Sequence, residues 1–172
     1  GFHLGAFIAN RDRVQLALRP LAGNQEEQTL ILSDVKEKPA FHSLLRGLSA
    51  PVDLDPGLSE EQLHEQLRKD TDGFNRWDAG QKLALQEMER LYRRLVDTGA
   101  LPEVSGRFMD SLASILDLDL EPNLKARALS LPAISELEFR IKPVDPAALY
   151  SVVEHLRSSL AHSLRSKWET LL

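Results

Sequence analysis

The chain reads Asp-Thr-Asp-Gly-Phe-Asn-Arg-Trp-Asp-Ala-Gly-Gln over residues 70–81, and this stretch decides the fold. Asp72 is a good N-cap, because its carboxylate can accept hydrogen bonds from the free backbone N–H groups of a first helical turn. Asn75 is a second candidate cap, with Asp78 three residues later as a capping-box-like partner. The stretch therefore predicts that a helix begins within it.

Downstream of that cap, the apolar residues follow a helical period. They form one stripe with spacings of seven, four, three and four, made of Trp77, Ala84, Met88, Leu91 and Leu95. The stripe ends near Thr98-Gly99, where a glycine can take the left-handed conformation that follows a helix. The pattern predicts one long helix over about 73–97, with Trp77 buried against a neighbouring helix or sheet. The alternative is an exposed Trp77 that stacks on a bound peptide.

Capping residues and prolines predict further helices after residue 55. Helices are expected over about 59–69, 103–116, 122–129 and 132–141, and from 145 onward with an optional break near Ser158-Ser159. No fixed period repeats. Short connections between antiparallel helices nevertheless favour an α-superhelix of stacked, armadillo/HEAT-like helix pairs.

The first 54 residues predict strands. Val14, Leu16 and Leu18 alternate with their neighbours in the manner of a half-buried strand. Further strands are expected over about 2–8 and 28–33, and a fourth over 41–46 with 50–54. Four strands are too few for a closed barrel or an immunoglobulin sandwich. This half should therefore pack on the helices, pair with another chain through its exposed edges as a dimer, or be the remainder of a sandwich.

Composition excludes several classes of function. The chain has 172 residues, a net charge of −5 and no cysteine, so disulfides and thiolate zinc sites are excluded. No apolar run reaches the length of a membrane span. Residues 55–172 carry the whole net negative charge, which argues against a nucleic-acid or anionic-membrane partner. Because the first residue is Gly1, the true N-terminus is expected to lie upstream.

No constellation of residues predicts catalysis or metal binding. His64-Glu65-Gln66-Leu67-Arg68 has the start of a zinc motif, but a cation occupies the position of the second histidine. His155 and His162 lie two helical turns apart without a third ligand. The acidic run 117–121 lacks the glycine and the ligand spacing of a calcium loop. The sequence therefore predicts no catalytic, cofactor-binding or metal residue in this chain.

The opening stretch also resembles a known family. It is similar to the segment D-x-D-x-F-N-R-W-(D/E)-A-(G/A)-Q of bacterial aminopeptidase N, the zinc-dependent alanyl aminopeptidases. Residues 43–52 resemble the last β segment of that family, and 124–132 and Val144-Asp145-Pro146 follow in the family's order and rough spacing. The similarity is nearly continuous from about Phe41 to Leu172 and weaker over 1–40.

The resemblance implies a non-catalytic piece of a longer bacterial enzyme. Residues 1–54 would be the C-terminal strands of a β-sandwich domain, and 55–172 the first part of the helical C-terminal domain, which gives an α+β fold class. The parent would use zinc in a domain upstream of Gly1 to remove N-terminal residues from peptides in the cytoplasm. This chain would contribute architecture and limit substrate access. Its partners would be the remaining domains and, through the parent, the peptide substrate.

Six residues of the opening stretch are expected to have a structural or interdomain role. They are Asp72, Phe74, Asn75, Arg76, Trp77 and Asp78. Arg76 and Asp78 in particular are expected to tie the helices to the β module. The alternative function is a stand-alone α-solenoid that binds a protein or peptide, and an independent enzyme ranks last.

Overall fold

The computed structural model of the protein describes residues 15–18, 28–31, 39–48 and 56–169. Six helices make up most of this part: α1 Glu60–Lys69, α2 Gly73–Thr98, α3 Gly106–Leu116, α4 Pro122–Ala128, α5 Ile134–Arg140 and α6 Pro146–Glu169. Two short strands, β1 Gln15–Leu18 and β2 Gln28–Ile31, pair antiparallel, with Gln15 opposite Ile31. A 3-10 turn covers Arg46–Leu48.

The predicted α+β fold with a partial β-sandwich is wrong. Over the described residues the hydrophobic core is built almost entirely from helices, and β1 and β2 form only a two-stranded ladder. Residues 41–46 do not form a strand. Ser43 and Leu44 are both buried although they are consecutive, whereas a half-buried strand would turn one of them to solvent. The predicted strands over 2–8 and 50–54 lie outside the described residues.

Helix α2 is the centre of the fold. Each of the other five helices packs against it. The helix begins where expected, because Asp72 Oδ1 accepts a hydrogen bond of 2.9 Å from the Asn75 backbone N–H. It ends at Gly99, which has φ of 72° and donates its N–H to the Leu95 carbonyl at 2.8 Å. The second candidate cap is wrong, since Asn75 lies inside the first turn of the helix.

Helices α1 and α4 both approach α2 closely at Gly80. A Cβ atom built there would lie 3.3 Å from Leu67 Cδ1 of α1 and 3.5 Å from the Ala128 carbonyl oxygen of α4. Leu67 is fully buried. A glycine at this position therefore lets two helices pack against the same turn of α2.

The remaining helices follow the predicted order with small shifts at their ends. Ser59 and Gln62 form the capping box of α1. Helix α3 begins three residues later than predicted, because Ser105 is its N-cap. Helix α6 continues without a break through Ser158-Ser159, which keeps Leu156 and Leu160 buried on one face. None of the helices in the described part is long and apolar enough to cross a membrane.

Candidate functional site at the corner between α1 and α2

Asp70 ends α1 and is the most enclosed charged side chain at this corner. Its side chain is 1% exposed. Oδ1 accepts from Arg46 Nη1 at 3.0 Å and from the Asp72 backbone N–H at 2.8 Å, while Oδ2 accepts from Gln66 Nε2 at 3.1 Å. The carboxylate is therefore buried with hydrogen bonds to both oxygens, as a buried charge requires.

The segment 43–47, which we call the docked segment, is bound to this corner by its own polar groups. Arg46 Nη2 donates to Thr71 Oγ1 at 2.6 Å. The Gly47 backbone N–H donates to Asp72 Oδ2 at 2.9 Å. Asp72 therefore uses one oxygen to cap α2 and the other to bind the docked segment.

Asn75 makes the most buried contact with the docked segment. Its Nδ2 donates to Ser43 Oγ at 2.8 Å and to the Leu44 carbonyl at 2.9 Å. Ser43 is 1% exposed. We call the whole set of contacts the polar joint, and its side-chain and backbone groups come from Ser43, Leu44, Arg46, Gly47, Gln66, Asp70, Thr71, Asp72 and Asn75. The joint fixes the docked segment against the first turn of α2.

Arg76 lies beside the polar joint and is 8% exposed. Its Nη2 donates to the backbone carbonyl of Asp70. Its Nε is buried and has no hydrogen-bond acceptor among the residues that the structure describes. Burial lowers the pKa of Arg76, and the nearby Asp70 carboxylate opposes that shift.

The other three predicted residues lie on different contacts. Phe74 and Trp77 form a tilted aromatic pair with ring centroids 5.6 Å apart. The guanidinium of Arg127 in α4 lies 5.5 Å from the Trp77 ring centroid, so the half-buried indole packs against a neighbouring helix. Asp78 pairs with Lys82 of the same helix at 2.7 Å. The structure thus brings Asp72, Asn75 and Arg76 together, but it does not place Trp77 or Asp78 in the polar joint.

Of the nine residues in the polar joint, the sequence alone singled out only Asp72 and Asn75. Asp70 lies within the opening stretch, and its position just after a helix with an acidic N-cap two residues later is a usable signal. Ser43 and Arg46 precede the corner by more than twenty residues. No local pattern connects residues at that distance, so these two could not be found from the sequence.

The residues of the incomplete zinc motif do not fit a zinc ion. His64 is 1% exposed, and its Nδ1 shares a 2.8 Å hydrogen bond with Ser111 Oγ of α3. Burial is the largest cause that lowers the pKa of His64, followed by the Arg107 cation, while Glu60 opposes them. Arg68, at the position of the second ligand, pairs with Glu65. His64 therefore joins α1 to α3 rather than offering a metal ligand.

The other sequence candidates also have structural partners. His155 Nε2 lies 3.0 Å from the Pro102 carbonyl oxygen, while His162 is exposed on the same helix. Asp117 ends α3 and pairs with Lys167 of α6. Within the part of the chain that the structure describes, no three His, Asp or Glu side chains are grouped to bind a metal.

The structure also has an open apolar groove, and none of its lining residues belongs to the polar joint. Its volume is about 310 Å³, and it runs between α3, the α4–α5 connection and α6. Its lining consists of Leu112, Leu129, Leu131, Arg157, Leu160, Ala161 and Leu164. The lining is apolar except for Arg157, so the groove is suited to packing against another apolar surface.

Comparison with known proteins gives matches along most of the chain. The family model described as "Domain of unknown function (DUF3458_C) ARM repeats" matches residues 60–172. The protein named Aminopeptidase N from Caulobacter vibrioides is 37% identical over 143 residues, which is 80% of this chain and 16% of that protein. The Aminopeptidase N of Escherichia coli is 33% identical over 141 residues, which is 81% of this chain and 16% of that protein.

A solved structure is similar in fold. It is a crystal structure of Legionella pneumophila aminopeptidase A in complex with aspartic acid, with a TM-score of 0.59 and 23% identity. The match covers 92% of this chain and 19% of that one. The chain thus spans about a sixth to a fifth of the length of the proteins it matches. These matches confirm the resemblance to bacterial aminopeptidase N.

Proposed function

The chain belongs to the family described as "Domain of unknown function (DUF3458_C) ARM repeats", and we propose that it is a non-catalytic helical domain of a zinc-dependent aminopeptidase. Relatives that match four fifths of the chain carry the name Aminopeptidase N. The parent enzyme would remove N-terminal residues from peptides. Zinc and the catalytic step are assigned to another domain, because the His64–Arg68 segment does not fit the metal. The role of this chain is architectural and limits the access of peptides to the active site.

The polar joint is the observation that carries the architectural role. A domain that forms a wall over an active site must keep one orientation relative to the rest of the protein. Buried charge-assisted hydrogen bonds have strict distances and angles, and so they favour one arrangement over others. Asp70 makes a charge-assisted bond of this kind to Arg46 of the docked segment, and Asn75 adds buried hydrogen bonds between neutral groups to Ser43 and Leu44.

The test uses the full-length protein that contains this chain. Asn75→Ala removes the two hydrogen bonds that the Asn75 side chain donates to the docked segment and should loosen the helical domain. We expect hydrolysis of a small alanyl-anilide to persist, while the preference among peptides of different length changes. Arg93→Ala is the matched control, because Arg93 is exposed and pairs with Glu89 one turn earlier on the same helix. Absence of alanyl-anilide hydrolysis in the full-length protein would refute the proposed enzyme class.

A second candidate function is a stand-alone helical module that binds a protein or peptide. The apolar groove between α3 and α6 favours it, because an amphipathic helix could lie there. The codons upstream of Gly1 distinguish the two functions. A zinc motif with a downstream glutamate ligand supports the peptidase domain, whereas a start codon nearby supports the module.

Three further properties stay predictions. The parent is expected in the cytoplasm, its other domains are the expected partners, and exposed strand edges are expected to allow a dimer. Gel filtration of the chain with light scattering tests the dimer, and cell fractionation tests the compartment.

A further inference from the structure

His64 is a buried titratable group at the contact between α1 and α3. The residue is 1% exposed, and its Nδ1 shares a 2.8 Å hydrogen bond with the hydroxyl of Ser111, which is fully buried. Its Nε2 lies 3.7 Å from Oε1 of Glu60, a side chain that is 67% exposed and one turn earlier on α1. The imidazole therefore has an enclosed partner for one nitrogen and a solvent-exposed carboxylate near the other.

The surroundings of His64 oppose a positive charge on the ring. Burial is the largest cause that lowers its pKa, the cations Arg107 of α3 and Arg68 of α1 add to the shift, and Glu60 opposes it. Among the described residues, α2 contributes no charged group to this shift. A protonated ring here would be a buried charge with one exposed anion to compensate it, which is unfavourable.

Helix α1 is the element that a charge on His64 would displace. It packs mainly on α2 and α3, whereas α3 also packs on α4 and α6. It has ten residues, and a helix of that length has little stability without tertiary contacts. Its C-cap is Asp70, which accepts a hydrogen bond from Arg46 of the docked segment. Opening of α1 would therefore also break a contact of the polar joint.

We propose that His64 is an acid-sensitive switch, in which protonation of the imidazole opens α1 from α3 and withdraws Asp70 from the polar joint while the other helices stay folded. The proton comes from solvent and binds the ring nitrogen that lacks one. Because the open helix exposes the ring to water, it binds the proton more tightly than the closed helix. Opening should therefore become more frequent as the pH falls below the ordinary pKa of histidine, about 6.5. The inference does not rest on the proposed function, since every group in it belongs to this chain.

Amide hydrogen exchange at about pH 7.5 and about pH 5, repeated in low concentrations of urea, tests the switch. Protection factors are compared, since they remove the pH dependence of the intrinsic exchange rate. We expect the α1 amides to lose protection in acid, together with the Asp72 amide, which donates to Asp70. In acid they should exchange with a weaker urea dependence than buried α6 amides such as that of Leu156, because local opening exposes less surface than global unfolding.

Replacement of the histidine shows whether the ring is the titrating group. His64→Gln should abolish the acid-induced loss of protection in α1. His162→Gln is the matched control, because His162 is exposed on α6, and it should leave that loss as in the wild type.

A second pair of variants changes the charge near the ring and keeps the histidine. Glu60→Gln removes the anion that favours the protonated ring in the closed helix, so it should enlarge the acid-induced loss of protection in α1. Glu61→Gln is the control. Glu61 is also a carboxylate in the first turn of α1, 77% exposed, but it pairs with Arg107 on the surface and does not shift the pKa of His64.

Each outcome decides the inference. A local loss of protection in α1 that His64→Gln abolishes and Glu60→Gln enlarges supports it. It is overturned if α1 keeps its protection in acid, or if α1 and α6 exchange there with the same protection and the same urea dependence. Persistence of the loss in His64→Gln also overturns it. If His64→Gln does not fold, the second pair decides, and equal behaviour of Glu60→Gln and Glu61→Gln overturns the inference.

Discussion

Two regions of the helical part are held together by different kinds of contact. At the α1–α2 corner, buried polar groups such as Asp70 and Asn75 bind the docked segment through hydrogen bonds. Helices α2 and α6 also pack against each other, and they contribute fully buried apolar side chains such as Met88 and Leu156 to the core. Apolar burial is strong and roughly proportional to area but does not fix direction, whereas hydrogen bonds contribute less energy and fix geometry. The helices should therefore owe their stability to the second region and their orientation relative to upstream domains to the first.

The largest effect should come from the apolar region. Leu156 is fully buried on α6, and Leu156→Ala should lower the free energy of unfolding by about 2–5 kcal/mol. Urea denaturation followed by circular dichroism measures it. Val96→Ala, at a side chain 56% exposed on α2, is the control and should change that free energy by less than about 0.5 kcal/mol. Equal effects of the two substitutions would contradict the assignment of stability to this region.

Asp70→Asn should have the next largest effect. The amide cannot pair with Arg46 as an ion, and its NH₂ group would face a donor, so we expect a loss of about 1–3 kcal/mol in the free energy of unfolding. The amides of Gly47 and Asp72 should also exchange faster, because both donate to carboxylates of the joint. Asp97→Asn, at an exposed position near the end of α2, should change neither quantity. Unchanged exchange at Gly47 would show that Asp70 does not orient the docked segment.

His64 should make the stability depend on pH. Its folded-state pKa lies below the usual 6.5, mainly because of burial, with Arg107 and Arg68 adding to the shift and Glu60 opposing it. The unfolded chain therefore binds a proton more tightly than the folded chain. Stability is complete above the unfolded pKa and decreases as the pH falls below it. His64→Gln should reduce the loss of stability between about pH 7.5 and about pH 5, while His162→Gln, at an exposed histidine, should keep the wild-type dependence. Identical pH profiles for the wild type and His64→Gln would contradict the prediction.

The smallest effect should come from the exposed ion pair that also joins α1 to α3. Arg107 Nη2 lies 3.3 Å from Glu61 Oε1, and the two side chains are 46% and 77% exposed. Arg107→Ala should change the free energy of unfolding by only about 0–1 kcal/mol, and added salt should reduce the difference. A loss as large as that of Asp70→Asn would mean that surface charge, rather than burial, decides the strength of a polar contact here.

Helix ends show how far local sequence rules reach. The caps Ser59 and Asp72 and the terminating Gly99 act within a few residues, and the structure has each of them as predicted. The predicted strand over 41–46 is wrong because it also rests on a local pattern, whereas the burial of these residues is decided by a distant helix. Alternation of residues reports one buried face, but Ser43 and Leu44 are both enclosed by α2, a helix more than thirty residues away in sequence.

The sequence pointed to only a small part of the candidate site. An unusual string pointed to Asp72, Asn75 and Arg76, and the structure places these three at the docked segment or beside it. Trp77 and Asp78 belong to the same string but face α4 and Lys82, because a helix distributes successive residues around its axis. The partners Ser43 and Arg46 carry no local signal.

The sequence by itself determined the helical half of the fold, the order and caps of its helices, and the family to which it belongs. These depend on periodicity and on short motifs, which are properties of neighbouring residues. Only the tertiary structure decided which polar groups meet at the α1–α2 corner, that Asp70 pairs with Arg46, and that the Nε of Arg76 is buried without an acceptor among the described residues. Those facts depend on distances between residues far apart in the chain, and such distances are set by the packing of α1 on α2.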